Sequence, residues 1–268
     1  MKKILGLVGV ALLVAGPAFA ADMAVKAPVR APLMPVLGWG GWYVGANAGW
    51  VGTASDGITN TGTDTGAGGL GNGLATGAIP TSLNLKYSGF IGGAQIGYNW
   101  QVGSWVYGLE ADFDGASAKG DATIGPITVP GHVPQTTTYH RELDWLATFR
   151  GRLGVTLAPA FLVYATGGLA VGETKLGNSY ICPTCAPPAS TESSTTNQSS
   201  NTSAGWTAGG GAEWMFAPNW SVKAEYLYVD LGKHNSSIAY TYGANVSTLT
   251  SRANDTMHIV RGGINFHF

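Results

Sequence analysis

Four groups of residues have types and spacings that could carry chemistry. Cys182-Pro183-Thr184-Cys185 is a CxxC pair, the half-site of a redox centre or of a zinc site. The chain has 2 cysteines in all, so no second pair completes a four-ligand zinc site. His234-Asn235-Ser236 sets an imidazole base two residues from a hydroxyl, the pairing a hydrolase uses, with Asp230 and Asp255 the acids nearest in sequence. His132, His140, His258 and His267 fall at no metal-ligand spacing. The largest group is a set of eleven charges: Glu110, Asp112, Asp114, Glu142, Asp144, Arg150, Arg152, Glu213, Lys223, Glu225 and Arg261. Most of them recur two residues apart. That spacing puts them on one face of a β-strand, so they read as ladders. None of the four groups specifies a catalytic residue, a metal site or a cofactor.

The elements that must hold these ladders are strands. From Gly41 onward apolar and polar residues alternate with period two, which predicts eight strands. They cover residues 41–52, 87–101, 104–116, 141–157, 160–173, 203–216, 219–231 and 256–268. Each can cross a bilayer at a tilt, which takes about 9–11 residues. All eleven ladder charges lie opposite an apolar face; Trp105, Tyr107, Leu109, Ala111 and Phe113, for example, alternate with Glu110, Asp112 and Asp114. A lipid-facing Arg or Lys at mid-bilayer costs about 2–4 kcal/mol, which gives this sorting a cause. Arg141, Glu173 and Asp230 break it, with Lys86 just ahead of its strand, and all four sit beside the long connections. Val102-Gly103, Ala158-Pro159 and Ala217-Pro218 are two-residue turns, whereas residues 53–86, 117–140, 174–202 and 232–255 read as long loops. Short turns on one side and long loops on the other describe an all-β, eight-stranded antiparallel up-and-down transmembrane β-barrel. A soluble sandwich also alternates, but neither its loops nor a terminal Phe268 would follow this pattern.

Composition agrees. Charged residues make up 11%, against about 25% in an ordinary soluble domain, and 41 residues are Gly, 9 Trp and 11 Tyr. A mean hydropathy of +0.11 is too low for a bundle of membrane helices. A net charge of −1 with no basic patch excludes a nucleic-acid partner, and the aromatic content excludes a disordered chain. Lys2-Lys3, the apolar run over residues 4–16 and Ala18-Phe19-Ala20 form a secretion signal, residues 1–20. Residues 21–40, with Pro28, Pro32 and Pro35, read as an extended periplasmic linker, and residues 41–268 as the barrel. Residues 153–172 are charge-free and long enough for a membrane helix, but Pro159 and four glycines read better as two strands. In an exported chain a local disulfide between Cys182 and Cys185 is the expected state. The Ser/Thr/Asn tract over residues 190–203 reads as a solvated loop.

Several phrases point to a family: Gly41-Trp42-Tyr43-Val44-Gly45, Gly108-Leu109-Glu110-Ala111-Asp112-Phe113, Arg150-Gly151-Arg152-Leu153-Gly154, Val163-Tyr164-Ala165-Thr166-Gly167-Gly168 and Ala224-Glu225-Tyr226-Leu227-Tyr228-Val229-Asp230-Leu231-Gly232. With the Pro/Ala linker and Phe268, the chain resembles the outer membrane immunogenic proteins, porin-annotated surface barrels related to the OmpA-type membrane domain. The resemblance spans the mature chain. It implies an eight-stranded barrel in a Gram-negative outer membrane and no catalytic residues. Assembly machinery is expected, on the same ground, to read the ending through Phe266 and Phe268.

Eight strands enclose room for side chains or one small ligand. Buried charges persist when paired, so Arg150, Arg152, Lys223 and Arg261 should each find a carboxylate and fill the lumen. The first expectation is therefore a structural and surface-interaction barrel; the second is a small gated diffusion pore. The third is a lipid A hydrolase, because His234-Asn235-Ser236 resembles the His-x-Ser pair of barrel deacylases, although it starts a polar loop rather than lying on a lipid-facing wall. Expected partners are outer-membrane lipid and lipopolysaccharide, the barrel-assembly machinery, and host or environmental ligands at the long loops.

Overall fold

The computed structural model describes residues 38–54, 57–64, 74, 77, 79–127, 135–186, 191–242 and 245–268. The signal segment, most of the linker, His132 and the side chains of Cys182 and Cys185 lie outside the described residues. Ten strands follow in order: β1 Gly41–Thr53, β2 Gly57–Asp64, β3 Ser82–Asn84, β4 Ser88–Val102, β5 Trp105–Ile127, β6 Gln135–Ala158, β7 Phe161–Ala186, β8 Thr191–Ala217, β9 Trp220–Tyr242 and β10 Asn245–His267. Eight of them form an antiparallel ring, β1-β4-β5-β6-β7-β8-β9-β10, and β1 closes it by pairing with β10 from Tyr43↔His267 to Thr53↔Met257. Closure leaves no open edge in lipid. The other two strands belong to the first long connection: β2 succeeds β1 beside β10, and β3 pairs with β2.

The outer face carries the apolar residues of the alternation. Trp42, Trp50, Phe90, Ile96, Phe113, Phe149, Leu169, Trp214, Val260 and Phe268 are all exposed. Rings meet in two girdles. At the short-turn end Trp42 packs on Tyr98 at 5.2 Å and Trp220 on Phe266 at 5.1 Å. Toward the long connections Trp50 packs on Phe90 at 4.9 Å, Phe113 on Trp145 at 5.7 Å and Trp206 on Tyr228 at 5.4 Å. Trp42 and Trp50 share one face of β1. At about 3.4 Å per residue and about 40° of tilt they stand roughly 20 Å apart, close to the apolar band of such barrels.

Three of the long connections are not loops. Residues 117–127, 135–140, 174–186, 191–202, 232–242 and 245–255 continue the hairpins, so β5 to β10 run 23 to 27 residues. The polarity inverts there. Ile58, Leu85, Tyr139, Leu176 and Ala253 form an inward core while Ser, Thr and Asn face out. Bulges separate the two regimes, with register shifts between Gly115/Ala118, Leu143/Trp145 and Asn254/Thr256. On β6 and β9 the faces are exchanged at the shift: Leu143 and His234 lie inward on the parity opposite to Leu146 and Leu231, so a period-two reading loses register there, whereas β5 and β10 keep one parity inward throughout.

Candidate functional site: the filled lumen

The inner face is layered. At the short-turn end Val106, Leu162, Tyr164 and Met215 close around Trp39. Trp39, which the sequence places at the end of the linker, is fully buried; its indole Nε1 donates to the Pro159 carbonyl at 3.2 Å. Above this comes the charged layer. An apolar collar of Val51, Ile91, Leu143, Leu146, Leu227, Val229, Met257 and Ile259 follows, and then a polar group around Asp255.

The charged layer unites nine ladder residues, all buried: Glu110, Asp112 and Asp114 from β5, Arg150 and Arg152 from β6, Glu213 from β8, Lys223 and Glu225 from β9, and Arg261 from β10. Arg150 donates to Asp112 Oδ2 at 2.7 Å and to Glu110, and its Nη1 lies 3.0 Å from Glu225. Lys223 Nζ reaches both oxygens of Glu110 at 3.0 Å. Arg261 donates to Asp114 Oδ2 at 2.7 Å, Glu225 Oε2 at 2.8 Å and Asp112 Oδ2 at 3.1 Å. Arg152 donates to Glu213 Oε2 at 2.7 Å, and its guanidinium lies 3.9 Å over the Tyr164 ring. Every cation therefore meets a carboxylate, as burial demands.

Neutral groups complete the layer, and sequence reasoning did not include them. Tyr43 donates to Glu110 Oε2 at 2.6 Å, Tyr164 to Glu225 Oε1 at 3.0 Å, Thr148 to Asp112 Oδ2 at 2.7 Å and Asn265 to Glu213 Oε1 at 2.7 Å. Their signal was position: each falls on the same alternate face as the ladders. A Cβ on Gly97 would stand 2.3 Å from the Tyr43 ring, and one on Gly211 2.8 Å from the Tyr164 hydroxyl. Those glycines make the seats for the two phenols.

Two of the eleven expected lumen residues, Glu142 and Asp144, face outward instead. Glu142 pairs with Lys119 at 2.5 Å and Asp144 with Lys175, both on the outer wall above the girdle. The bulge between Leu143 and Trp145 is the cause, because it turns β6 over at that point. The same inversion carries Leu143 inward, and Arg141 with it, against the expectation that Arg141 stands outside the barrel. Arg141 donates to Asp255 and to the Asn254 carbonyl at 2.5 Å, and lies 4.9 Å over the Tyr87 ring.

His234 joins that polar group. Its Nδ1 lies 3.9 Å from Asp255 Oδ2 and 3.4 Å from Thr174 Oγ1. Burial holds the imidazole below the usual histidine range; Asp255 opposes this and Arg141 adds to it. So an acid does stand near His234, but the group points into the barrel and is 3% exposed. Ser236 is equally buried, and its hydroxyl has no partner among the described residues. Among the described residues no three His, Cys, Asp or Glu groups could hold a metal ion. At the C-terminus Phe266 and Phe268 pack edge to face at 5.2 Å on the outer surface, and the Phe268 amide donates to the Trp42 carbonyl at 3.0 Å.

A family model described as the outer membrane protein beta-barrel domain matches residues 9–254. The chain is 34% identical to the 31 kDa outer-membrane immunogenic protein of Brucella melitensis biotype 1, over the full length of both. It is 27% identical to the 25 kDa outer-membrane immunogenic protein of Brucella abortus biovar 1, over 89% of each. Among solved structures, the outer membrane protein OprG from Pseudomonas aeruginosa aligns with a TM-score of 0.45 at 12% identity, covering 85% of this chain and 97% of that one.

Proposed function

This chain belongs to the outer membrane protein β-barrel family, and from that premise we propose that it is a closed surface barrel with a structural and interaction role. The observation that carries this reading is the layered lumen. Four cations and five carboxylates interlock across the ring, an apolar collar lies above them, and Trp39 lies below. An ion crossing it would have to break buried pairs and then pass a layer lined mainly by aliphatic side chains. The strands that rise beyond the upper girdle carry a polar outer wall suited to contacts outside the cell. His234 favours no lipid hydrolase, because its ring faces the lumen while lipid lies on the other side of the wall.

Planar-bilayer conductance of the refolded chain tests this. A closed barrel gives no steady single-channel steps at moderate voltage and salt. Reproducible steps of fixed size would overturn it in favour of the gated diffusion pore.

A further inference from the structure

We propose that the outer wall of β9 and β10, just above the upper girdle, is a seat for the phosphates of a phosphorylated lipid in the surrounding leaflet. This rests on the reading of the chain as a membrane barrel. Lys233 and Asn235 on β9 stand directly opposite Asn254 and Arg252 on β10, and all four side chains are exposed on the outward face. Two cations and two amides thus share one patch rich in hydrogen-bond donors, the chemistry that holds a phosphate monoester.

Neither cation is neutralised by a described residue. Lys233 has no ion pair among the described residues, and Arg252 spends only Nε, which donates to Asn235 Oδ1 at 2.9 Å. Among the described residues its terminal guanidinium nitrogens have no acceptor. On β9 below the patch, Asp230 accepts the Gly232 amide through Oδ1 at 2.8 Å. The opposite wall differs. There Lys119 is held by Glu142 and Lys175 by Asp144, so its cations are already matched. An anionic headgroup therefore gains most at β9–β10.

Depth fits as well. Below the patch, on the same two strands, Tyr228 and His258 belong to the girdle, with ring centroids 5.6 Å apart. Asn254 lies four residues above His258, with the bulge between Asn254 and Thr256 taking up part of that rise. The patch thus starts about 8–10 Å above the girdle, against a headgroup layer of roughly 5–8 Å per side. The Lys233 stem can lower its ammonium into that layer. Apolar wall below and bare cations above match an amphiphile whose acyl chains lie on the barrel and whose phosphates sit on the patch.

The test uses the refolded full barrel in detergent micelles, with native mass spectrometry counting bound lipid. The probes are diphosphorylated lipid A, the same lipid with both phosphates removed, and inorganic phosphate alone. The double variant Lys233→Gln/Arg252→Gln should bind diphosphorylated lipid A about 30-fold more weakly than the parent. The control Lys119→Gln/Lys175→Gln should bind it like the parent, and the dephosphorylated lipid should bind all three alike and weakly. Equal loss in both double variants, no loss in either, or equal binding of the two lipids by the parent would overturn the proposal. So would inorganic phosphate binding as tightly as the lipid, since the seat would then be for a free ion. Each variant is first checked for a heat-modifiable band on gels. A parent lacking that band would refute the membrane-barrel reading itself, a separate failure from that of the seat.

Discussion

Arg261→Met is the sharpest probe of the lumen. Arg261 is the residue through which β10 binds the charged ladders of β5 and β9, touching Asp112, Asp114 and Glu225. Its loss does not fall evenly on the three. Asp112 keeps Arg150 and Thr148, and Glu225 keeps Arg150 and Tyr164. Asp114 loses the one ion pair it has among the described residues and is left with the least support of the three. A buried carboxylate left without its cation costs about 3–5 kcal/mol. With a urea slope of about 3 kcal/mol/M for a chain of this size, the unfolding midpoint in lipid vesicles should fall by roughly 1–1.7 M. Methionine fills much of the arginine volume, so a cavity accounts for little of that drop. The repair separates charge from packing: Asp114→Asn added to Arg261→Met removes the stranded charge and should recover more than half of the loss. An unchanged midpoint in Arg261→Met would show that the layer is hydrated and the pairs are weak. A double variant as unstable as the single would show that the defect is one of packing.

Two further outcomes follow from the ends of the barrel. Deleting Phe268, whose amide closes onto β1 while its ring stays in the girdle, should lower outer-membrane levels in cells while refolding in detergent stays nearly normal, if the ending serves as an assembly signal; equal loss in both settings would reduce it to apolar area. The second concerns acid. Because burial keeps His234 below the ordinary histidine value near 6.5, the unfolded chain takes up a proton first as pH falls through that value. Stability should therefore decline on acidification from pH 7.5 to 5.5 and be insensitive to this residue at higher pH. His234→Gln should flatten the slope of urea midpoint against pH, and an identical slope in the two proteins would remove His234 from the account.

The membrane half of this barrel was legible in one dimension. Lipid on one side and a narrow lumen on the other impose strict alternation, so Trp105 to Phe113 and Glu110 to Asp114 disclosed strand, faces and environment together. The two-residue turns and the eight-strand count followed from the same pattern. What lay beyond reach has a common cause in register. One extra residue near Leu143 sent Glu142 and Asp144 to the outer wall and drew Arg141 inside, because side-chain direction in a strand depends on a running count that a bulge resets. Past the upper girdle, water replaces lipid. The apolar face then turns inward, and most of what read as long loops is continuing strand. Which carboxylate each cation chose was equally hidden. Lys223 on β9 meets Glu110 on β5 across the lumen, a contact that sequence separation does not encode and that exists only once β1 and β10 have closed the ring.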